Sequence, residues 1–191
     1  MYDLNKSQIM ELFQFDNAAK VISAAYIASS SGNVQTGDVV HLSFPGSNGD
    51  CHVKSGHINN AESYVIKIAS GFYDNPSKGL PSSNGMMLAF SASTGEPKAI
   101  LRDEGWLTDM RTGIGGAVAT KALAAKNAEK VLIIGSGIQA QFQAKCLASL
   151  MPERPFNFNI WGRNTSAAAA LAEELRGYNL NADVAKNLDE E

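Results

Sequence analysis

The chain has 191 residues, and its 16 lysines and arginines against 19 aspartates and glutamates leave a formal net charge of −3. That balance argues against an electrostatic nucleic-acid binder, and 45% hydrophobic with 18% charged residues describes a globular chain, not a disordered one. No apolar run reaches the roughly 18 residues a bilayer span needs, and Cys51 and Cys146 are too few for a disulfide scaffold and lack metal-site spacing. Asp3, Glu11 and Asp16 precede the apolar stretch 18–28, a poor signal peptide, so a cytoplasmic protein is expected.

In chain order, the first thirty residues read as helix, with Asp16 as a capping residue and Ala18, Val21, Ile22, Ala25 and Tyr26 at helical spacing. Residues 38–44 and 51–53 read as short strands around a Pro-Gly-Ser-Asn-Gly turn, and 64–69 as a further strand. A loop rich in Asn, Pro, Ser and Gly covers 74–85. Residues 86–90 and 99–101 form a hairpin across Thr94-Gly95-Glu96-Pro97, and a helix starts at Thr108 and runs to about Lys126. From Lys130 the texture changes. Val131–Ile134 has the length of a buried parallel strand and stops at Gly135-Ser136-Gly137. A helix over 139–150, a strand over 156–161, a helix over 166–176 capped by Thr165 and closed by Gly177, and a strand over 180–184 complete a β-α-β-α-β order. The expected fold is α/β. A Rossmann-type doubly wound parallel sheet, of which only the first half is present (128–191), follows an α+β domain over 1–127. Three strands leave an apolar sheet edge, so further polypeptide is expected to cover it.

The strongest chemical signal is Gly135-Ser136-Gly137-Ile138-Gln139-Ala140. It follows an apolar strand and opens a helix, the context that makes a G-x-G-x-x-A sequence a dinucleotide site. Gly135 allows the tight turn, Gly137 lets backbone approach a pyrophosphate, Ala140 is the small residue where helix meets strand, and the helix N-terminus offers free N–H groups. The second strand ends in Trp161-Gly162-Arg163-Asn164 with no acid to take a ribose hydroxyl. Arg163 is suited to a 2′-phosphate, so NADP(H) is the preferred form of the expected NAD(P) cofactor. Lys67 sits mid-strand among Val65, Ile66, Ile68 and Ala69, where it either holds a carboxylate and moves protons or blunts a sheet edge. Arg111 and Lys54 are further anion contacts, with surface solvation the plainer alternative for Lys54. Gly113, Gly115 and Gly116 after Arg111 imply close approach of a cofactor or tight helix packing. His41, His52 and His57 show no ligand spacing, and His41 and His52 fall on separate strands, so no metal is expected.

Lys67, Gly79-Leu80-Pro81-Ser82, Thr94-Gly95-Glu96-Pro97, Leu107-Thr108-Asp109-Met110-Arg111-Thr112, the glycine turn and Trp161-Gly162-Arg163-Asn164 together resemble the ornithine cyclodeaminase/mu-crystallin family across essentially the whole chain. The resemblance implies an NAD(P)-dependent oxidoreductase or cyclodeaminase acting on a small L-amino acid or cyclic imino acid, with a Rossmann domain beside a substrate and dimerisation domain. It implies a homodimer, and no nucleic-acid or membrane partner. Lys67 is then the catalytic residue at the substrate carboxylate, with Arg111 near substrate and nicotinamide. Ser82, Thr112, Ile138, Gln139, Arg163 and Asn164 join Gly135, Gly137 and Ala140 at the cofactor. The family often carries an arginine carboxylate clamp in the strand occupied here by Asp38-Val39-Val40-His41, and Lys54 is expected to replace it. The family's catalytic aspartate is expected beyond Glu191, so a chain of this length is expected to be inactive alone. The non-enzymatic alternative is an NADPH-dependent small-ligand binder of mu-crystallin type. An unrelated short-chain-type dehydrogenase fits less well, because those place the nucleotide loop at the N-terminus and here it begins at Gly135.

Overall fold

The structure is a computed structural model and describes residues 1–188. The chain divides into two compact units. One comprises Met1–Gln14 with Ala24–Thr108, the other Phe15–Ser23 with the chain from Asp109 onward. Among the described residues, no helix is long and apolar enough to cross a membrane.

The N-terminal thirty residues are not one helical run. Strand β1 (Tyr2–Asn5) comes first, then helix α1 (Lys6–Leu12), a break, and helix α2 (Phe15–Ser30). β1 was hidden because its ladder partner is a strand almost a hundred residues later in the chain. The α1 start, by contrast, has a local cause. The Asn5 side chain accepts the Gln8 N–H at 3.0 Å while the Gln8 side chain accepts the Asn5 N–H at 3.0 Å, a reciprocal cap that satisfies two orphan donors. Asp16 does not cap α2. That position is Gln14, and Asp16 lies in the first turn, where its charge still complements the helix dipole.

Next come β2 (Val34–Thr36), β3 (Val40–Phe44), β4 (Gly49–Ile58), β5 (Ser63–Phe72), β6 (Ser83–Ser91) and β7 (Pro97–Arg102). They form a seven-stranded sheet in the order β1-β7-β6-β5-β4-β2, with β3 also paired to β4. β1 runs parallel to β7, and the other pairs are antiparallel. β4 is ten residues long, so its outer edge takes β3 at Gly49–Val53 and β2 at Gly56–Ile58 in succession. The strand expected over 51–53 is therefore only the middle of β4, and the expected strand over 38–44 begins at Val40. The hairpin across Thr94-Gly95-Glu96-Pro97 is present as β6–β7, with Gly95 at φ +74°. Asp103, 1% exposed, accepts the Leu107 N–H at 2.8 Å and holds the chain as it turns into the next helix.

The second unit is built on α3 (Trp106–Leu123), β8 (Lys130–Ile134), α4 (Ile138–Leu150), β9 (Asn157–Trp161), α5 (Thr165–Gly177) and β10 (Asn181–Val184). The three strands are parallel in the order β10-β9-β8, the first half of a doubly wound sheet. Phe158 and Ile160 on β9, Ala144 and Leu147 of α4, and Ala168, Leu171 and Leu175 of α5 are all buried and make up the core of this unit. Period 3.6 on the helices and period 2 on β9 put these residues on inward faces. Two local details differ from the sequence reading. Asn164, not Thr165, caps α5, its side chain accepting the Ala167 N–H at 3.0 Å. Gly177 stays helical, and the left-handed residue after the helix is Asn179 at φ +60°, asparagine being a side chain that tolerates this region. Two of the α3 glycines, Gly113 and Gly116, are explained by packing. A Cβ on Gly113 would stand 2.7 Å from the Phe142 carbonyl oxygen and 2.8 Å from Cys146 Sγ, and one on Gly116 would strike the Gln143 amide.

Candidate functional site

In the sheet unit, register decides which polar side chains meet. Lys54 on β4 lies directly opposite Lys67 on β5, and Met87 on β6 lies on the other side of Lys67. Lys67 is thus on an interior strand, which removes the edge-blunting reading. It is half-buried, while Lys54 is exposed. Like charges directly opposite each other cost roughly 0.2–1 kcal/mol, and an anion between them removes that cost. The same face of β4 carries His52 and Asp50 at successive even positions. Ser82 is further off. Its carbonyl accepts the Phe72 N–H at 2.8 Å, five residues along β5 from Lys67, or about 17 Å at strand rise. Lys54 and Lys67 are therefore brought together, and Ser82 does not join them.

In the second unit, β8 ends in a turn at which Gly135 takes φ +130°, backbone that side chains other than glycine rarely adopt. The Gly135 N–H donates to the Trp161 carbonyl at 2.7 Å, which ties the turn to the end of β9. Gly137 is the residue before α4 and no side chain caps that helix. The N–H groups of Ile138 and Gln139 therefore lie in the first turn, where no intrahelical acceptor exists. A Cβ on Gly135 or Gly137 would meet nothing within 4 Å, so the space over the turn is open. An open cleft of about 650 Å³ is lined by Ile134, Gly135, Ser136, Trp161, Gly162, Arg163 and Asn164. The Arg163 side chain is exposed, and the Asn164 side-chain oxygen is already used as the α5 cap, leaving its NH2 group toward solvent or ligand.

Below the turn, Gln139 donates from Nε2 to Asp109 Oδ1 at 2.6 Å, while its Oε1 is buried with no hydrogen-bond partner. Gln143 donates to the Thr112 carbonyl at 3.1 Å. These bonds bring the Asp109–Thr112 turn of α3, which includes the exposed Arg111, against the first turns of α4. Ala140 is buried there. The sequence reading did not single out Asp109, and no spacing signal exposes a partner thirty residues away. A glycine turn with open space above it and an uncapped helix start, whose backbone N–H groups are donors, fit a dinucleotide pyrophosphate. Anion binding at this turn rests on backbone N–H groups and therefore needs no charged side chain.

The fold has counterparts among known proteins. Residues 3–191 match the model of the ornithine cyclodeaminase/mu-crystallin family. An uncharacterised cyclodeaminase of Sinorhizobium fredii is 38% identical over 175 residues, which is 91% of this chain and 52% of that protein. The structure of Thermococcus litoralis Delta(1)-pyrroline-2-carboxylate reductase, in complex with NADH and L-proline, superimposes with a TM-score of 0.87 at 26% identity, covering 100% of this chain and 58% of that one. An archaeal alanine dehydrogenase dimer with bound NAD gives a TM-score of 0.83 at 26% identity over 97% of this chain and 56% of its own. The chain spans about half the length of the curated relatives it matches. On the strength of the family match, the chain belongs to the ornithine cyclodeaminase/mu-crystallin family.

Proposed function

We propose that the protein is an NAD(P)-dependent oxidoreductase or cyclodeaminase that acts on a small L-amino acid or cyclic imino acid, and that it works as a homodimer. The observation that carries this reading is the Lys54–Lys67 pair. Two cations side by side on one sheet face concentrate positive charge there, which suits a carboxylate, the group common to all such substrates. Lys67 holds that carboxylate and is the catalytic residue, and Lys54 takes the part of the arginine clamp. Half-burial of Lys67 strengthens its attraction for an anion over that of a fully solvated lysine.

The glycine turn binds the pyrophosphate of the cofactor through the N–H groups of Ile138 and Gln139, with Gly135, Gly137 and Ala140 shaping the approach. Arg111 and Thr112 on α3 serve the cofactor from the helix that Gln139 and Gln143 anchor, and Arg111 also meets the substrate. Ser82 is assigned to the cofactor from the family resemblance alone. When bound, the nicotinamide supplies or accepts a hydride at the substrate α-carbon, interconverting an amine and an imine. Arg163 and Asn164, at the end of a strand that carries no acid there, favour the 2′-phosphate and hence NADP(H). The functional division into a substrate and dimerisation part over 1–127 and a nucleotide part from 128 onward follows the same reading. The exposed apolar row Val40, Leu42 and Phe44 on β3 is the surface we assign to pairing with a second copy.

Steady-state assays of the full-length protein with NADPH and NADH on Delta(1)-pyrroline-2-carboxylate, and with NADP+ and NAD+ on proline, ornithine, alanine and arginine, test this. Turnover with the NADP(H) couple favoured is expected. Lys67→Met should lower kcat/KM by about 100-fold, equivalent to about 2.7 kcal/mol, while leaving NADPH affinity unchanged. Lys54→Ala should act mainly through KM. Saturable binding of NADPH and a carboxylate ligand without turnover would move the assignment to the ligand-binding alternative. Absence of any nucleotide binding would remove both.

A further inference from the structure

Antiparallel pairing of β3 with β4 sets His41 directly opposite His52 and Ser43 opposite Asp50. The reading that separate strands keep these histidines apart fails because the two strands are ladder neighbours. Asp50 and His52, two residues apart on β4, point to the same face as His41. The two imidazole rings stack with centroids 4.6 Å apart and planes 19° from parallel. His52 Nδ1 stands 3.5 Å from Asp50 Oδ1. One ligand atom from each of the three residues lies within 4.8 Å of the other two.

We propose that His41, Asp50 and His52 form a binding site for a divalent transition-metal ion of the zinc class. Two imidazole nitrogens and one carboxylate oxygen are a donor set that suits Zn²⁺, Co²⁺ and Ni²⁺ and is poor for Mg²⁺ or Ca²⁺, which take oxygen donors. Donors at 2.0–2.1 Å around a tetrahedral ion stand about 3.3 Å from one another. The His52–Asp50 separation is already close to that. The remaining closure is a rotation of His41, whose side chain is exposed on a strand that pairs with β4.

The carboxylate is also oriented from outside. Tyr73 donates its hydroxyl to Asp50 Oδ2 at 3.2 Å, which leaves Oδ1 toward His52. Tyr73 is itself pinned to the β3–β4 turn by its N–H to the Asn48 carbonyl at 3.0 Å. An outer partner of this kind is what tunes a metal-bound carboxylate. Lys54 lies two residues beyond His52 on the same face, with Lys67 opposite it. Their charge opposes a cation, and a three-ligand site open to solvent binds more weakly than a closed four-ligand one. The third histidine is not part of the group, since His57 Nε2 lies 3.0 Å from the Ala61 carbonyl oxygen.

The test is calorimetric titration of the chelator-treated protein with Zn²⁺ at pH 7.5, with Co²⁺ visible absorption as a second probe of the ligand set. One saturable equivalent is expected. It should weaken at least about 10-fold in His41→Gln, Asp50→Asn and His52→Ala, and about 10-fold in Tyr73→Phe. His57→Asn should leave it unchanged. Circular dichroism checks each fold, and His41→Gln, altering an exposed side chain, is the decisive variant if the β4 substitutions unfold the sheet. No saturable binding, or binding that His41→Gln leaves intact, overturns the proposal. So does a Co²⁺ spectrum dominated by thiolate charge transfer, which would place the ion at a cysteine.

Discussion

The two units of this chain hold their order in different ways. The α/β unit has a dense interior, with Ile114, Phe158, Ile160 and Leu175 at 0–1% exposure. The sheet unit contributes Ile9 as its buried hydrophobic residue among those described, yet leaves Val40, Leu42 and Phe44 at 53%, 51% and 41% exposure. The first is specified by helices closing over a parallel sheet, and the second by a long ladder whose register sets every neighbour. The difference teaches where mutations should bite. Core truncations should damage the α/β unit, whereas in the sheet unit the telling changes are on its faces.

The sharpest test of that contrast is Phe158→Ala, expected to cost about 3–5 kcal/mol because a ring at 1% exposure leaves a cavity. Urea unfolding followed by Trp161 fluorescence in a Trp106→Phe background should show the loss as a lower midpoint. An unchanged midpoint would mean the core is not where the structure puts it. Next comes Gly113→Ala, where the added methyl meets the Phe142 carbonyl and Cys146 at under 3 Å. Overpacking of this kind should cost about 1–3 kcal/mol by the same measurement, against the usual gain for alanine in a helix.

For the sheet unit, Leu42→Asp should leave the fold intact and weaken self-association by about 10-fold or more, equivalent to about 1.4 kcal/mol. Sedimentation velocity across a dilution series reads this directly, and an undisturbed dimer would remove β3 from the pairing surface. The smallest effect concerns the thiols. Burial pushes Cys146 from 9.0 to about 11, while Cys51 is partly exposed. At pH 8 a thiol reagent should therefore modify Cys51 first and Cys146 only after unfolding. A thiol with a folded pKa above its unfolded value stabilises below about pH 9, and that contribution is lost as pH rises through about 11. Stability should accordingly fall across that alkaline window, and less so in Cys146→Ala.

Much of the α/β unit was legible because its signals are local. Val131–Ile134, the glycine turn and the two amphipathic helices each occupy a few consecutive residues, and their order alone implies the parallel strands. The N-terminal strand was not legible, since Tyr2–Asn5 earns its strand geometry from Ala99–Arg102. Nor was the full length of β4, whose residues Gly49, Gly56 and three scattered histidines and lysines carry little strand propensity of their own. For the candidate site, Gly135, Gly137 and Lys67 were visible from their neighbours, whereas the Gln139–Asp109 bond and the Asp103 buttress were not.

By itself, then, the sequence determined the glycine turn, its strand and helix, the absence of an acid at Trp161–Asn164 and the family pattern, because those features depend on nearest neighbours along the chain. Only the tertiary structure decided that Lys54 faces Lys67, that His41 stacks on His52 beside Asp50, and that Gly113 and Gly116 serve helix packing. The physical reason is register. Side chains alternate with period two along a strand, so a shift of one residue in pairing sends a whole set to the other face, and the contacts that fix that shift are spread across the entire sheet.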